Sequence, residues 1–434
     1  MKRIFSADSL NPGVRPREVF GWAMYDFANS GYTTVVITAV FAAYFVGGVA
    51  GGASWATLAW TVGLSLSHAI VMLTMPGLGA WADRHAAKKR LLMVFTAACV
   101  LSTAALAWVG PGQVALGLGL LVLSNTFYSY GESLTAAFLP ELATPQAMGR
   151  VSGWGWALGY IGGMLALGIC LAYVLSAQAR SEPAARFVPV TMLITAGMYG
   201  AAALVTFALL REHAAPQPDA SRPQGMLASL VQMRQTWHDA APYRDFRQLM
   251  ACAVAYQAGV AVAISLAAIY AEQVIGFAPQ ETMVLIFVLN IAAFLGAFVF
   301  GYVQDALGHK KALALTIAGW IVTCALAALS TSKGMFWWAA AVAGLCMGSS
   351  QSAGRAMAGV MVPPARLAEF FGLWTLAIRL ASIVGPLSYG LITWLTGGNQ
   401  RLAIASTALL FVLGLFLLRP VDVPRGMAAA RSGY

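Results

Sequence analysis

The chain is 434 residues long, 59% of them hydrophobic and only 10% charged, with a formal net charge of +10 and a mean hydropathy of +0.73. Soluble domains carry about 25% charged residues, so this composition excludes a soluble globular enzyme and a disordered chain alike. Its long apolar runs specify an all-α polytopic membrane protein, in which each spanning segment satisfies its own backbone groups.

Lys2 and Arg3 precede a polar stretch with Pro12 and Pro16 instead of a short apolar core, so no cleavable leader is expected. Residues 1–18 read as a terminal segment. Apolar runs and their breakers then predict twelve spans, at 19–45, 55–80, 91–110, 113–138, 150–176, 187–210, 247–272, 280–304, 312–331, 334–358, 367–395 and 402–419. They divide six and six into halves at 19–210 and 247–419, joined by a linker at 211–246 and followed by a tail at 420–434. The linker holds Pro216, Pro218, Pro223 and Pro242, and Met226 to Trp237 has the pattern of a short amphipathic helix. An even number of spans puts both termini on one side. That side carries 20 of the 26 Lys and Arg residues and the opposite side four, so the positive-inside rule makes both termini cytoplasmic. The net charge is a topology signal and implies no nucleic-acid partner. Cys99, Cys170, Cys252, Cys324 and Cys346 fall in apolar runs without metal-ligand spacing and read as packing residues.

Polar residues inside the spans mark the functional candidates, because a carboxylate at bilayer depth costs at least about 2.5 kcal/mol on insertion scales. In the first span Trp22, Asp26, Asn29 and Thr33 recur at helical spacing on one face, with Tyr25 and Tyr32 on its shoulder. His68 stands alone in span 2 and reads as a packing histidine. Asn125, Ser129 and Glu132 share a face of span 4, one turn from Tyr128. Span 5 brings Trp156, Tyr160 and Gly163, with Gly155, Gly159 and Gly163 spaced for close helix packing. Span 7 brings Tyr256 and Gln257. Asn125, Asn290 and Gln257 read as hydrogen-bonding between helices. Gln351 and Arg355 lie four apart in span 10, and Thr375, Arg379 and Ser382 form a stripe in span 11. Glu369 beside Arg366 reads as a surface pair. Trp55, Trp337 and Trp338 fit interface anchors, whereas Trp154 and Trp156 are placed to face a cavity.

The halves repeat. Gly131, Pro140, Gly149 and Gly162 recur 223 positions later as Gly354, Pro363, Gly372 and Gly385, and Gly79 with Asp83 recurs at 222 as Gly301 with Asp305. Repeated halves with a membrane-depth site between them are the layout of secondary transporters. Arg355 occupies the repeat position of Glu132. Opposite charges at equivalent places across a pseudo-symmetry axis could pair with each other or hold the two ends of a zwitterion.

GAWADRHAAKK from Gly79 resembles the loop signature of the major facilitator superfamily, with Ala86 where the pattern has its second glycine and Ala87 where it has arginine. GYVQDALGHKK from Gly301 is a second copy that keeps Gly308, Lys310 and Lys311. The resemblance implies a gate in which Asp83 and Asp305 link their loops to neighbouring helix ends and stabilise one state, with Gly79, Arg84, Gly301, Gly308 and Lys310 as its other loop residues. Three further stretches, YDFANSGY at Tyr25, PELATPQAMGRVSGWGWALGYIGG at Pro140 and QSAGRAMAGVMVPPARLAEFFGLW at Gln351, resemble the branch of autophagy-linked vacuole effluxers and their bacterial relatives. That resemblance implies release of amino-acid-like solutes and a bacterial inner membrane.

The sequence thus predicts a twelve-helix major facilitator fold that moves a small polar or zwitterionic solute by alternating access. Asp26, then Glu132, are the candidates for a protonatable coupling site or a solute-amine site, with the proton as candidate coupling ion and an uncoupled facilitator left open. Arg355 and Arg379 are the candidates for an anionic group. Tyr25, Asn29, Tyr128 and Gln351 would orient the solute. A monomer without cofactor is expected. HExxH, GxSxG and GxxxxGK[ST] motifs are absent, which argues against an enzyme. A non-transporting sensor on the same scaffold would need a larger cytoplasmic output segment than the linker or tail provides. A lipid-handling variant stays open, since composition does not separate a lipid cavity from a solute cavity.

Overall fold

A computed structural model describes residues 7–53, 55–214, 235, 237–277 and 279–432. The amphipathic stretch expected at Met226 to Trp237 falls, for most of its length, outside the described residues. The long helices are α1 (Pro16–Tyr32), α2 (Ala56–Arg84), α3 (Lys88–Ala105), α4 (Val114–Leu142), α5 (Met148–Ala179), α6 (Ala184–Leu209), α7 (Arg244–Tyr270), α8 (Pro279–Leu307), α9 (His309–Leu329), α10 (Lys333–Val360), α11 (Leu367–Leu395) and α12 (Gln400–Leu418), followed by the short α13 (Val423–Ser432).

Among the described residues eleven of these helices are long and apolar enough to cross a membrane. The exception among the twelve expected spans is α10, where Ser349, Ser350, Gln351, Ser352 and Arg355 interrupt the apolar run. Those residues are largely enclosed by α5, α8 and α9, so packing keeps them from lipid. The outer surface is apolar, with Leu409 and Phe416 exposed on a helix apolar enough to cross a membrane.

Local chemistry sets the helix starts. Pro16 opens α1 at a position that needs no N–H, and the Glu18 carboxylate accepts from the Arg15 N–H at 3.4 Å. Ser332 and Asn399 cap α10 and α12 with side-chain acceptors. After Tyr32 the chain widens into π-helix over Thr33–Ala39 and again over Phe45–Val49. The run TTVVITA is β-branched and therefore a poor helix former, and the Thr33 and Thr34 hydroxyls both donate back to the Ser30 carbonyl, which competes with the regular ladder.

The first six and last six helices meet along two principal seams, α2 against α11 and α5 against α8. The repeated glycines explain how closely. A Cβ on Gly372 would lie 2.9 Å from Pro76 Cα, and one on Gly301 would lie 2.9 Å from Arg150 Cα, so backbone meets backbone at both seams. Gly162 and Gly385 play the same part within each half, against Phe27 of α1 and Ala258 of α7. Gly131 and Gly354 make room for the hydroxyls of Tyr25 and Tyr256. The prolines of the repeat diverge: Pro140 lies inside α4, whereas α10 stops at Val360 and Pro363 follows it.

Both termini lie at one end of the bundle. Asn11 hydrogen-bonds the carbonyls of Pro140 and Glu141 at 2.9 Å, and Arg425 of α13 forks onto Asp245 at 2.7 Å. At this end the α2–α3 turn holds Ala86 at φ +47°, and its repeat partner Gly308 sits at φ +87°. An L side chain in that region costs roughly 1–2 kcal/mol, a penalty that Gly308 escapes. Ala86→Gly should therefore stabilise the protein by about 1 kcal/mol, less the extra freedom gained by the unfolded chain. A rise in Tm in detergent checks it, and a fall would mean that the Ala86 methyl group makes a contact that outweighs the strain.

Candidate functional site

Two ion pairs bridge the halves in the polar interior, and in both the acid comes from the first six helices and the arginine from the last six. Asp26 of α1 accepts from Arg355 Nη1 of α10 at 2.7 Å. Glu132 of α4 accepts from Arg379 Nη2 of α11. Glu132 and Arg355, equivalent in the repeat, therefore do not pair with each other. The pseudo-symmetry shows in what each of them meets: Glu132 meets Arg379, and Arg355 meets Trp156, which stands 223 positions before Arg379. Asp26, Glu132, Arg379 and Tyr128 all lie within electrostatic reach of one another or of a shared neighbour, which makes the two pairs one charged cluster.

The pairs differ in how fully the protein satisfies them. Arg355 donates through Nε to Ser152 Oγ at 3.1 Å and through Nη2 to the Ser152 carbonyl at 2.8 Å, and its guanidinium lies 4.8 Å from the Trp22 ring centre and 5.3 Å from that of Trp156. Trp22 is itself held by a 2.8 Å bond from Nε1 to the Thr135 carbonyl. Gly155 leaves the space this assembly needs: a Cβ there would lie 2.7 Å from Arg355 Nη2 and 2.8 Å from Trp22. The Asp26 and Arg355 side chains are 11% and 8% exposed. By contrast the Glu132 side chain is 36% exposed, and the buried Nε of Arg379 has no hydrogen-bond partner among the described residues. An unsatisfied buried donor costs about 1–3 kcal/mol, more when charged, so the second pair is the less complete one.

The remaining expected site residues scatter. Asn29 and Tyr128 are buried beside the cluster, and Tyr128 stacks on Tyr32 at 5.1 Å. Gln351 accepts from Gln257 at 2.6 Å and so ties α10 to α7. Tyr25 is fully buried, and its hydroxyl bonds Thr96 at 2.9 Å and Tyr199 at 3.2 Å. Trp154 donates to the Tyr302 hydroxyl at 3.2 Å in the α5–α8 seam, whereas Trp156 joins Trp22 over the Arg355 guanidinium. Asn125 bonds Ser67 between helices, whereas Asn290 returns to its own helix at Ile286.

At the terminus-bearing end the two repeated aspartates cap helices of the opposite half. Asp83, in the last turn of α2, accepts the Glu369 N–H of α11 at 3.0 Å. Asp305, in the last turn of α8, accepts the Gly149 and Arg150 N–H groups of α5 at 2.9 and 3.2 Å and Arg150 Nε at 2.7 Å. Each carboxylate therefore sits on the positive end of a helix dipole across a seam. Gly79 and Gly301 pass beside the same helix starts. Arg84 ends α2, and Gly308 precedes α9. Lys310 donates to the Arg419 carbonyl at 2.7 Å, away from the capped helices. Glu369 and Arg366 do pair, at 2.7 Å, but Glu369 is only 4% exposed and lies in the seam, so the surface reading fails.

Sequence reasoning missed the partners of Asp83. Lys88 is 1% exposed, lies 3.5 Å from Asp83 and bonds Glu141, and Glu212 caps α3 through the Lys88 and Lys89 N–H groups at 2.8 and 3.1 Å. His213 bonds Glu18 at 2.7 Å. The sequence carried no signal for this, because Lys88 is drawn inward by Glu141, 53 positions away, and its burial appears only in the fold.

A sequence model described as vacuole effluxer Atg22 like matches residues 42–431. An uncharacterized MFS-type transporter, YxiO, of Bacillus subtilis strain 168 is 28% identical over 404 residues, covering 92% of this chain and 93% of that one. Autophagy-related protein 22-1 of Aspergillus niger is 24% identical over 306 residues, 65% of this chain and 48% of that protein, so this chain spans about half the fungal length. Among solved structures, the human organic anion transporter MFSD10 (TETRAN) superposes with a TM-score of 0.72 at 16% identity over 93% of this chain and 99% of that one. The major facilitator transporter FucP in its outward conformation gives 0.70 at 13% identity over 94% and 99%. At such identities the two structures speak to the fold alone.

Proposed function

The chain belongs to the Atg22-like vacuole effluxer family of major facilitator transporters, and from that premise we propose that it exports a small zwitterionic, amino-acid-like solute by alternating access. One observation carries the reading. Two acid–arginine pairs, contributed in the same sense by the two halves, meet in the polar interior. A zwitterion offers an ammonium for a carboxylate and a carboxylate for a guanidinium, so it can replace an inter-half pair without leaving a charge uncompensated. The state described has its halves joined at the terminus-bearing end by the Asp83 and Asp305 caps, and the excess of Lys and Arg there supports a cytoplasmic location in a bacterial inner membrane. Protonation of Asp26 or Glu132 would release its arginine, which makes the proton the coupling ion of this reading.

The test compares L-alanine, its amide and L-lactate as ligands of the purified protein in a thermal-shift titration, followed by flux in proteoliposomes with and without a pH gradient. L-alanine, carrying both charges, should raise Tm most and should move across the membrane. Stabilisation by phospholipid headgroups alone would replace the solute reading with a lipid-handling one, and binding without flux would favour a sensor. An unchanged rate under a pH gradient would remove proton coupling.

A further inference from the structure

We propose that His68 and Arg379 together form the carboxylate-binding end of the solute site, with Glu132 holding the place of the carboxylate when the site is empty. This rests on the transport reading above and names the subsite within it.

α2 and α11 pack along one of the two seams between the halves. These antiparallel helices touch at Pro76 and Gly372. Two turns further from the terminus-bearing end, counted along both helices from that contact, His68 on α2 and Arg379 on α11 come level. α4 packs against both helices and contributes Glu132 and Tyr128. Among the described residues two buried nitrogens in this corner have no hydrogen-bond partner, His68 Nδ1 and Arg379 Nε. The Arg379 side chain is only 10% exposed, so water does not readily make good the missing bond.

Arginine recognises carboxylates along an edge, with two parallel N–H groups meeting two oxygens. The edge that carries Nε and Nη2 is free for such a contact, yet Glu132 occupies only Nη2. A solute carboxylate that took both donors would satisfy Nε and release Glu132, which is already the most exposed of the four paired charges at this depth. His68 Nδ1 would supply a further donor to the same anion. Arg355 offers no comparable opening, because its Nε, Nη1 and Nη2 all donate to protein oxygens and its faces are covered by Trp22 and Trp156. The two arginines thus differ in role: Arg379 meets the ligand, and Arg355 holds the halves.

Propionate, which has a carboxylate and no amine, isolates the subsite from the zwitterion reading. Its affinity, and that of L-alanine, would be measured by calorimetric titration at constant ionic strength for the wild type, His68→Leu and His68→Asn. The asparagine amide can place a donor close to the position of Nδ1, whereas leucine fills the space without one. His68→Leu should weaken both ligands about tenfold, and His68→Asn should recover most of the loss, a pattern that packing alone does not produce. Equal propionate affinity in wild type and His68→Leu would overturn the subsite, as would failure of propionate to bind the wild type. If propionate binding depends on His68 while L-alanine does not bind, the subsite stands and the zwitterion reading falls. If L-alanine binds with the same affinity to all three proteins, the reading stands and the subsite falls.

Discussion

Asp26→Ala should cost clearly more stability than Glu132→Ala, its counterpart in the second inter-half pair, and should abolish transport. Removing one partner of a buried ion pair leaves the other uncompensated, typically at 3–5 kcal/mol. Arg355 would keep its two bonds to Ser152 and its aromatic faces, the latter worth about 0.5–2 kcal/mol each. The loss should therefore fall near 3 kcal/mol, at the low end of that range. Glu132→Ala should cost much less, because the Glu132 side chain is 36% exposed and Asp26 only 11%. The double variant Asp26→Asn with Arg355→Gln should regain much of the Tm lost by Asp26→Ala, since two neutral amides no longer bury a lone charge. It should not regain transport, because the inter-half charge pair is then gone. Tm in detergent and flux in proteoliposomes read the two effects separately. Wild-type transport by Asp26→Ala would mean that this pair only fixes helix register.

The membrane class, the repeat and the polar residues were legible in the sequence because each rests on a local or periodic signal. Hydropathy marks a span wherever lipid is the solvent, and it failed as a criterion only at α10, whose polar residues are hidden by other helices. The glycines at a spacing of 223 were legible as a repeat, but their purpose became visible only in three dimensions, where Gly372 and Gly301 bring backbones together across the seams. Pairing was the least legible feature. By symmetry Glu132 and Arg355 were open either to pair with each other or to hold the two ends of a zwitterion, and spacing could not show that their partners are Arg379 and Asp26. The hydroxyl partners of Tyr25 were illegible for a related reason. Its neighbour on the helix faces the charges, while the tyrosine itself turns one shoulder further into α3 and α6. Sequence spacing fixes which residues share a face and leaves open which neighbour that face will meet.

Releasing the two aspartate caps should shift the protein toward the state open at its terminus-bearing end. Each carboxylate satisfies orphan N–H groups at a helix start, a cap worth about 0.5–2 kcal/mol, and each also interacts with the helix dipole for up to about 2 kcal/mol. Asp305 makes three bonds to Gly149 and Arg150, and Asp83 bonds the Glu369 N–H. Asp305→Ala should therefore have the larger effect of the two, near 2 kcal/mol or about thirtyfold in the ratio of closed to open states. Because the caps lie on separate seams, their effects should add in the double variant with Asp83→Ala, giving more than the thirtyfold of Asp305→Ala alone and less than about a thousandfold. Asparagine should do less damage than alanine, since its amide oxygen can still accept from the helix N–H groups while the charge is lost. The five native cysteines are all buried, so a single cysteine placed on the seam between α5 and α8 would report opening through its rate of thiol labelling. Faster labelling in Asp305→Ala, faster still in the double variant, with an unchanged rate for a cysteine at the opposite end, is the expected pattern. Equal acceleration at both ends would mean that the substitutions loosen the fold as a whole, and an unchanged rate at both would mean that the closed state does not depend on the caps.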